Sequence, residues 1–462
     1  MKLTVFLTFL CITQIAVSQN YIGLWKGEIK HADSIIHIRF NVMMQEDSAV
    51  YAMMQEPCFT MFCDSTYRGD TLHLKSTKLG IAYKAALTKN LNQLTGQFYR
   101  SGKSYKSDIF RGEQPIFRPQ TPQKPYPYHT ENVAFENKKD TILLSGTLTI
   151  PDSVGYFPAV ILISGSDPND RDYEGFYHKP FLVIADYLTK KGIAVLRYDD
   201  RGVNKSTGKF YQSTLINFAG DIEAGINYLK SRKEIDRKKI GLIGHSEGGL
   251  VASIAASQNQ DVQYIVLLAS PGIRLKDLYL EQRKNLLEHG DLSKERYELL
   301  MDFQNQVDVL IENNIDTSIA KSSLSYFKLK LNELNRKEGI QNPLLQPDYH
   351  FERKILLSLS PYSRFNRQCN PADYLEKITC PVLSLNGNKD LLVPSKINQD
   401  AIKTALEKGG NNNFSIFELE GLNHSFQQCQ TCAVSESKDI EQTFSPDALQ
   451  IIANWIVTIT NP

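Results

Sequence analysis

Three hydrophobic patterns succeed one another along the chain. From about residue 21 to 113, apolar positions alternate with polar ones: Ile36, Ile38, Phe40 and Val42, then Leu72 and Leu74, then Leu94 and Phe98. Period two sends successive side chains to opposite faces, so these runs predict half-buried strands. Arg68-Gly69-Asp70 and Asn90-Leu91-Asn92 read as the turns between them. The expectation for residues 19–113 is a small all-β domain, either a sandwich or an up-and-down barrel. Pro115, Pro119, Pro122, Pro125 and Pro127 then crowd together. Closely spaced prolines hold the backbone extended, which predicts a stiff linker over 114–128 that separates two domains more than it packs.

The pattern changes after the linker. Residues 133–135 and 143–150 suggest an antiparallel hairpin, and continuous apolar runs follow at 159–163, 193–198, 239–243, 264–268, 382–385 and 414–417. Helical stretches at 181–188, 218–229 and 445–459 separate or follow them. Strands apolar on both faces, alternating with amphipathic helices, predict a mainly parallel sheet covered on both sides. Over about 273–375 the alternation stops. Leu300, Phe303, Val307, Leu310 and Ile311 fall at helical spacing there. This stretch predicts a helical insertion, placed to cap whatever lies at the carboxyl ends of the strands. The fold class expected is thus α/β over 129–462, preceded by the β-domain.

Composition removes several classes of function. A formal net charge of +1 offers no basic field for nucleic acid. The first residues differ from the rest: Lys2, a mostly apolar run over 3–17, and Ala16-Val17-Ser18 before Gln19. This is the layout of a cleaved signal peptide over 1–18, too short to span a bilayer. Cys11 follows Leu10 instead of a small residue, which argues against a lipoprotein anchor. Export to the periplasm or medium is expected, with no membrane anchor after cleavage. Six cysteines remain, and Cys58 with Cys63 or Cys429 with Cys432 are plausible local disulfides. Cys429-x-x-Cys432 could instead be redox-active, but without a second pair it makes a weak metal site.

The chemistry gathers around Gly244-His245-Ser246-Glu247-Gly248-Gly249, which joins an apolar strand to a run of small and apolar residues. Strand, G-x-S-x-G, helix is the layout of a nucleophile elbow, a turn tight enough to strain the serine and expose its hydroxyl. A serine hydroxyl needs a base, and the base needs a carboxylate to orient it. Asp390 follows the strand at 382–385, and His424 is the sole histidine after it. Glu418 and Glu420 compete for the acid, but they lie in or beside the strand before the histidine. The expected catalytic set is therefore Ser246, Asp390 and His424. Backbone N–H groups of Glu247 and of Ser166, in the loop Ser164-Gly165-Ser166, are the expected oxyanion donors. Asp167, Asn169, Asp170 and Asp172 tempt a calcium reading but lack the glycine and terminal glutamate of an EF-hand loop. Asp199-Asp200-Arg201-Gly202 reads as a structural turn with Arg201 paired. His245 reads as a packing residue that points away from the nucleophile.

Together, the elbow, Ser164-Gly165-Ser166, Asp199-Asp200-Arg201-Gly202, Gly387-Asn388-Lys389-Asp390-Leu391-Leu392-Val393-Pro394 and Leu422-Asn423-His424 resemble the α/β-hydrolase superfamily. Within it they resemble the bacterial EstD-type carboxylesterases, a group close to the serine aminopeptidase-like hydrolases. The resemblance covers roughly 130–460 and implies a small-molecule ester substrate, with no metal or organic cofactor. A peptidase or amidase would use the same residues, and a binding protein on a retired hydrolase fold is a further alternative. Two positions depart from the group. Asp167 stands where a glycine is usual, and a carboxylate aimed inward there would oppose an oxyanion. Cys429 and Cys432 follow His424 closely, where they could staple or regulate its loop.

Overall fold

The computed structural model describes residues 21–461 except 22, 32–33, 45–49, 57–58, 69–70, 77–80, 101–102, 113–117, 153, 290–292, 314, 316 and 339–356. Residues 1–18, expected from the sequence to be a signal peptide, and Cys58 lie outside the described residues, as does the Cys63 side chain. The chain divides into two compact units, one built on the β-domain and one on residues 118–334 and 351–462.

The β-domain is a closed eight-stranded barrel. Strands β1 (Gly23–His31), β2 (Ser34–Met44), β3 (Val50–Glu56), β4 (Phe59–Arg68), β5 (Thr71–Ser76), β6 (Ile81–Leu87), β7 (Gln93–Arg100) and β8 (Lys103–Arg111) each pair with the next. β8 returns to β1 through Trp25–Arg111 to Glu28–Asp108, so the sheet leaves no edge. The alternation has its reason here: Trp25, Val42, Leu72, Leu94, Phe98 and Ile109 are buried at inward positions.

The second unit carries an eight-stranded sheet. In chain order its elements are β9 (His129–Asn137), β10 (Ile142–Ile150), β11 (Phe157–Ile163), α1 (Pro180–Lys190), β12 (Ala194–Tyr198), α2 (Leu215–Ser231), β13 (Ile235–His245), α3 (Glu247–Gln258) and β14 (Tyr264–Leu268). The helical insertion follows, with α4 (Leu275–Glu288), α5 (Lys294–Glu312), α6 (Thr317–Lys337), α7 (Pro361–Gln368) and α8 (Ala372–Leu375). β15 (Val382–Gly387), α9 (Ser395–Lys408), β16 (Phe414–Leu419) and α10 (Pro446–Thr460) complete it. Across the sheet the order is β16-β15-β14-β13-β11-β12-β10-β9. Only the hairpin β9–β10 and its pairing to β12 are antiparallel.

That order places the site. β12 lies on one side of β11 and β13 on the other, so the connections diverge and leave a crevice above the carboxyl ends of β11 and β13. The Ser164 loop and the Ser246 elbow emerge there. One face of the sheet packs under α2, α3 and α9, through residues such as Ile161, Leu242, Ile222, Leu250 and Ile402. The other packs under α1 and α10, through Val160, Ile243, Ile184 and Ile452. Full burial of such a side chain contributes roughly 1.5–3 kcal/mol, and these cores hold dozens. α3 is buried at every residue from 247 to 256, which suits its small and apolar sequence.

In the insertion, Phe303, Val307, Leu310 and Ile311 form their own apolar cluster with Phe327 and Leu359. The proline-rich segment behaves otherwise than its composition suggests. Arg118 is buried and donates to the carbonyls of Phe176, Lys438 and Ile440, while Gln120 bonds the backbone of Thr443 and Phe444. From Arg118 onward this stretch packs on the sheet unit, because polar side chains between the prolines satisfy buried carbonyls.

Candidate active site

Ser246 sits between β13 and α3 with φ 56° and ψ −127°, outside the regions an L-residue ordinarily occupies. The turn is held from several sides. Ser246 N–H donates to Leu268 O at 2.8 Å, and Gly249 N–H returns to Ser246 O at 2.9 Å. Two glycines permit it: a Cβ on Gly244 would lie 2.2 Å from Gly248 O, and one on Gly248 would lie 2.3 Å from Ile163 O. Either side chain would push strand and helix apart. Strain of this kind, of order 1–3 kcal/mol, persists only where surrounding packing enforces it.

Asp390 lies in the loop after β15, and His424 in the loop after β16. The Asp390 side chain is fully enclosed. One oxygen, Oδ1, accepts the N–H groups of Leu392 at 2.8 Å and Val393 at 2.9 Å; the other, Oδ2, meets His424 Nδ1 at 2.8 Å. Because backbone donors fix the carboxylate, its free oxygen is aimed at the imidazole. Glu420 instead accepts from Asn388 at the exposed rim, and Glu418 is exposed. His424 is brought to the elbow by the residue before Ser246: its carbonyl lies 2.8 Å from His245 Nε2, and the two rings meet tilted at 56° with centroids 4.8 Å apart. Among the described residues the Ser246 hydroxyl itself has no hydrogen bond.

The Ser164 loop lies against the nucleophile, since a Cβ on Gly165 would come within 3.2 Å of Ser246 Cβ. Two carboxylates tether it: Asp200 accepts from Ser164 Oγ at 2.9 Å and from Asn169 N–H at 2.9 Å, and Glu247 accepts from Ser166 Oγ at 3.4 Å. Asn169 Nδ2 donates to the carbonyls of Gly165, Ser166 and Asp167, so those carbonyls turn toward Asn169. Asp167, with φ 69°, has its carboxylate engaged by the Tyr211 hydroxyl at 2.8 Å. The calcium-like run is spent internally as well. Asp170 accepts the N–H groups of Asp172 and Glu174, and Asp172 pairs with Arg197. Arg201 is paired with Asp221 and Asp140.

The Glu247 side chain carries a role that no sequence motif announces. It is buried and accepts from Tyr362 Oη at 2.8 Å and Asn366 Nδ2 at 2.7 Å, both on α7 of the insertion. The insertion also reaches the acid loop, where Asn285 Nδ2 donates to Leu391 O at 3.1 Å. Position 247 is the one charged position of its helix, the sole signal available; Tyr362 and Asn366 lie more than a hundred residues away.

Glu247 and Asp200 line one small cavity of about 20 Å³, with room for about one water. Desolvation pushes the Glu247 carboxyl up to about 7 and Asp200 up to about 8. A raised carboxyl pKa stabilises the fold fully below the unfolded value and loses that contribution as pH rises through the folded value. For Glu247 the window runs from about 4.5 to about 7. Glu247→Gln keeps an acceptor oxygen for the Tyr362 and Asn366 donors but cannot ionise. Denaturation midpoints at pH 5 and pH 8 should therefore differ less in the variant, by on the order of 3 kcal/mol in unfolding free energy. An unchanged difference would mean that Glu247 does not titrate in that range.

Several known proteins resemble this chain in part. Residues 172–319 match the family model described as serine aminopeptidase, S33, a span that holds Ser246 but ends before Asp390 and His424. The esterase EstD of Thermotoga maritima is 27% identical over 299 residues, 64% of this chain and 62% of that protein. The fold is an α/β-hydrolase fold, and the chain resembles EstD. An uncharacterised 31.7 kDa protein of Escherichia coli is 30% identical over 120 residues, 26% of this chain and 40% of its own. The chain thus spans less than two thirds of the length of either relative. A solved esterase structure from Pyrococcus furiosus aligns with TM-score 0.45 and 18% identity over 76% of this chain and 99% of that one.

Proposed function

We propose that this protein is a serine hydrolase that cleaves carboxylic esters of short acyl groups through a covalent acyl-enzyme. One observation carries the reading: a serine in strained elbow geometry follows His245, which bonds the carbonyl of His424, and the Nδ1 of His424 is held by a buried, backbone-anchored carboxylate. With Nδ1–H donated to Asp390, the other nitrogen of His424 is free to accept a proton. In the proposed reaction it takes the Ser246 Oγ proton as Oγ bonds the ester carbonyl carbon. The N–H groups of Glu247 and Ser166 receive the resulting oxyanion. Collapse breaks the bond to the alkoxide, which leaves with the proton from His424. Water then gives His424 a proton as it attacks the acyl carbon; collapse breaks the bond to Ser246 Oγ, which takes that proton from His424, and the carboxylic acid leaves. The similarity to EstD supports ester chemistry over amide chemistry.

A panel of p-nitrophenyl acetate, butyrate and decanoate beside aminoacyl p-nitroanilides tests it. Highest kcat/KM on acetate or butyrate is expected. Anilides turned over faster than esters would replace the esterase reading with a peptidase one.

We also propose that the mature protein lies outside the cytoplasm. Lys2, the apolar run and Ala16-Val17-Ser18 support it, and the Cys429–Cys432 disulfide suits an oxidising compartment. N-terminal sequencing from the native host should find Gln19 first. An intact Met1 in the cytosolic fraction would contradict export.

A further inference from the structure

His245, next to the nucleophile, is not simply packed; both ring nitrogens have partners. Nε2 lies 2.8 Å from His424 O and Nδ1 lies 3.3 Å from Tyr173 Oη. The ring is buried, and desolvation, reinforced by His424, pulls its pKa down to about 3. At any working pH it is neutral and carries one N–H. A carbonyl only accepts, so that hydrogen is on Nε2 and is donated to His424 O. Nδ1 is then an acceptor, and the Tyr173 hydroxyl donates to it. One tautomer satisfies both contacts.

Tyr173 is itself held firmly. Its ring packs on Phe181 at 5.0 Å and on His245 at 5.4 Å between centroids. Its backbone has φ 55°, and Phe176 and Tyr177 are left-handed too, a concentration of non-glycine strain beside the elbow. Arg171, two residues earlier, grips Asp199 through Nε at 3.1 Å and Nη2 at 2.7 Å, which anchors the segment to the end of β12. The glycine at 165 leaves space for the hydroxyl, because a Cβ there would sit 2.4 Å from Tyr173 Oη.

We propose that His245 and Tyr173 are positioning residues for the general base: Tyr173 orients the His245 ring, and His245 fixes the backbone of His424. The proposal rests on the hydrolase reading above. Asp390 holds only the His424 side chain, leaving the placement of its loop to other contacts. His245 and Ser246 are covalent neighbours, so the bond to His424 O sets the spacing of base and nucleophile by the shortest route in the fold. Misplacement of a reacting group by about 1 Å can lower a rate on the order of 10²-fold.

The test compares kcat and KM on p-nitrophenyl acetate for His245→Phe, His245→Gln, His245→Asn, Tyr173→Phe and the Tyr173→Phe/His245→Phe double variant. Thermal melts accompany each, and Ser246→Ala is the control for the parent reading. His245→Phe should lower kcat by roughly 10- to 100-fold with KM within about threefold. Gln reaches His424 O with an N–H and should recover most of that loss; Asn is too short to do so and should not. Tyr173→Phe should cost several-fold alone and nothing further in the His245→Phe background, the mark of two residues acting through one contact. Should His245→Phe not fold, the Gln–Asn contrast decides. Equal kcat in Gln and Asn, or a Tyr173→Phe loss that persists in full in the double variant, would overturn the proposal. Turnover that survives Ser246→Ala would instead overturn the hydrolase reading itself.

Discussion

Ser246→Ala should abolish ester turnover, with a fall on the order of 10⁶-fold in kcat, the scale seen when a serine protease loses its nucleophile. The magnitude follows because the serine makes the covalent bond and no hydroxyl elsewhere takes its place at the elbow. The fold should survive. Among the described residues the Ser246 hydroxyl holds nothing in place, and alanine can occupy the same backbone with similar strain. Circular dichroism and the melting temperature should match those of the parent. Turnover within tenfold of the parent would mean that another residue attacks the substrate.

Asp390→Asn should be nearly as severe, on the order of 10⁴-fold in kcat. The geometry gives a reason beyond lost charge. Oδ1 of residue 390 faces two backbone N–H groups, from Leu392 and Val393. An asparagine must turn its carbonyl oxygen to those donors, which leaves its NH2 facing His424 Nδ1. That nitrogen then accepts, the proton moves to the other ring nitrogen, and His424 can no longer take the Ser246 proton. The variant should fold, since both backbone bonds are kept. A loss under tenfold would reassign the acid, with Glu418 and Glu420 the next to test.

How much of this was legible in the sequence depends on the range of the contact. Strands apolar on both faces, such as 159–163 and 264–268, announce a covered parallel sheet whatever lies around them. The elbow is partly local: Gly244 answers to a clash with Gly248 four residues on, whereas Gly248 answers to Ile163 on a neighbouring strand. Alternation in the β-domain predicts strands but leaves sandwich and barrel open, because closure depends on β1 meeting β8 about eighty residues later. The proline spacing predicts an extended backbone, but the burial of Arg118 depends on carbonyls of residues 438 and 440. Glu247 reads as a donor of one N–H until Tyr362 and Asn366 arrive from the insertion. Asp167 looks adverse in sequence because Tyr211, which occupies its carboxylate, is 44 residues away. His245 reads as packing because its partners, Tyr173 and His424, come from two other loops.

The most direct test of the central claim is to treat the purified protein with a fluorophosphonate and map the adduct by peptide mass spectrometry. The phosphonyl group should be found on Ser246 and nowhere else, formed rapidly in the parent and far more slowly in His424→Ala. An adduct on a different serine, or equal labelling with and without His424, would contradict a Ser246–His424 nucleophile.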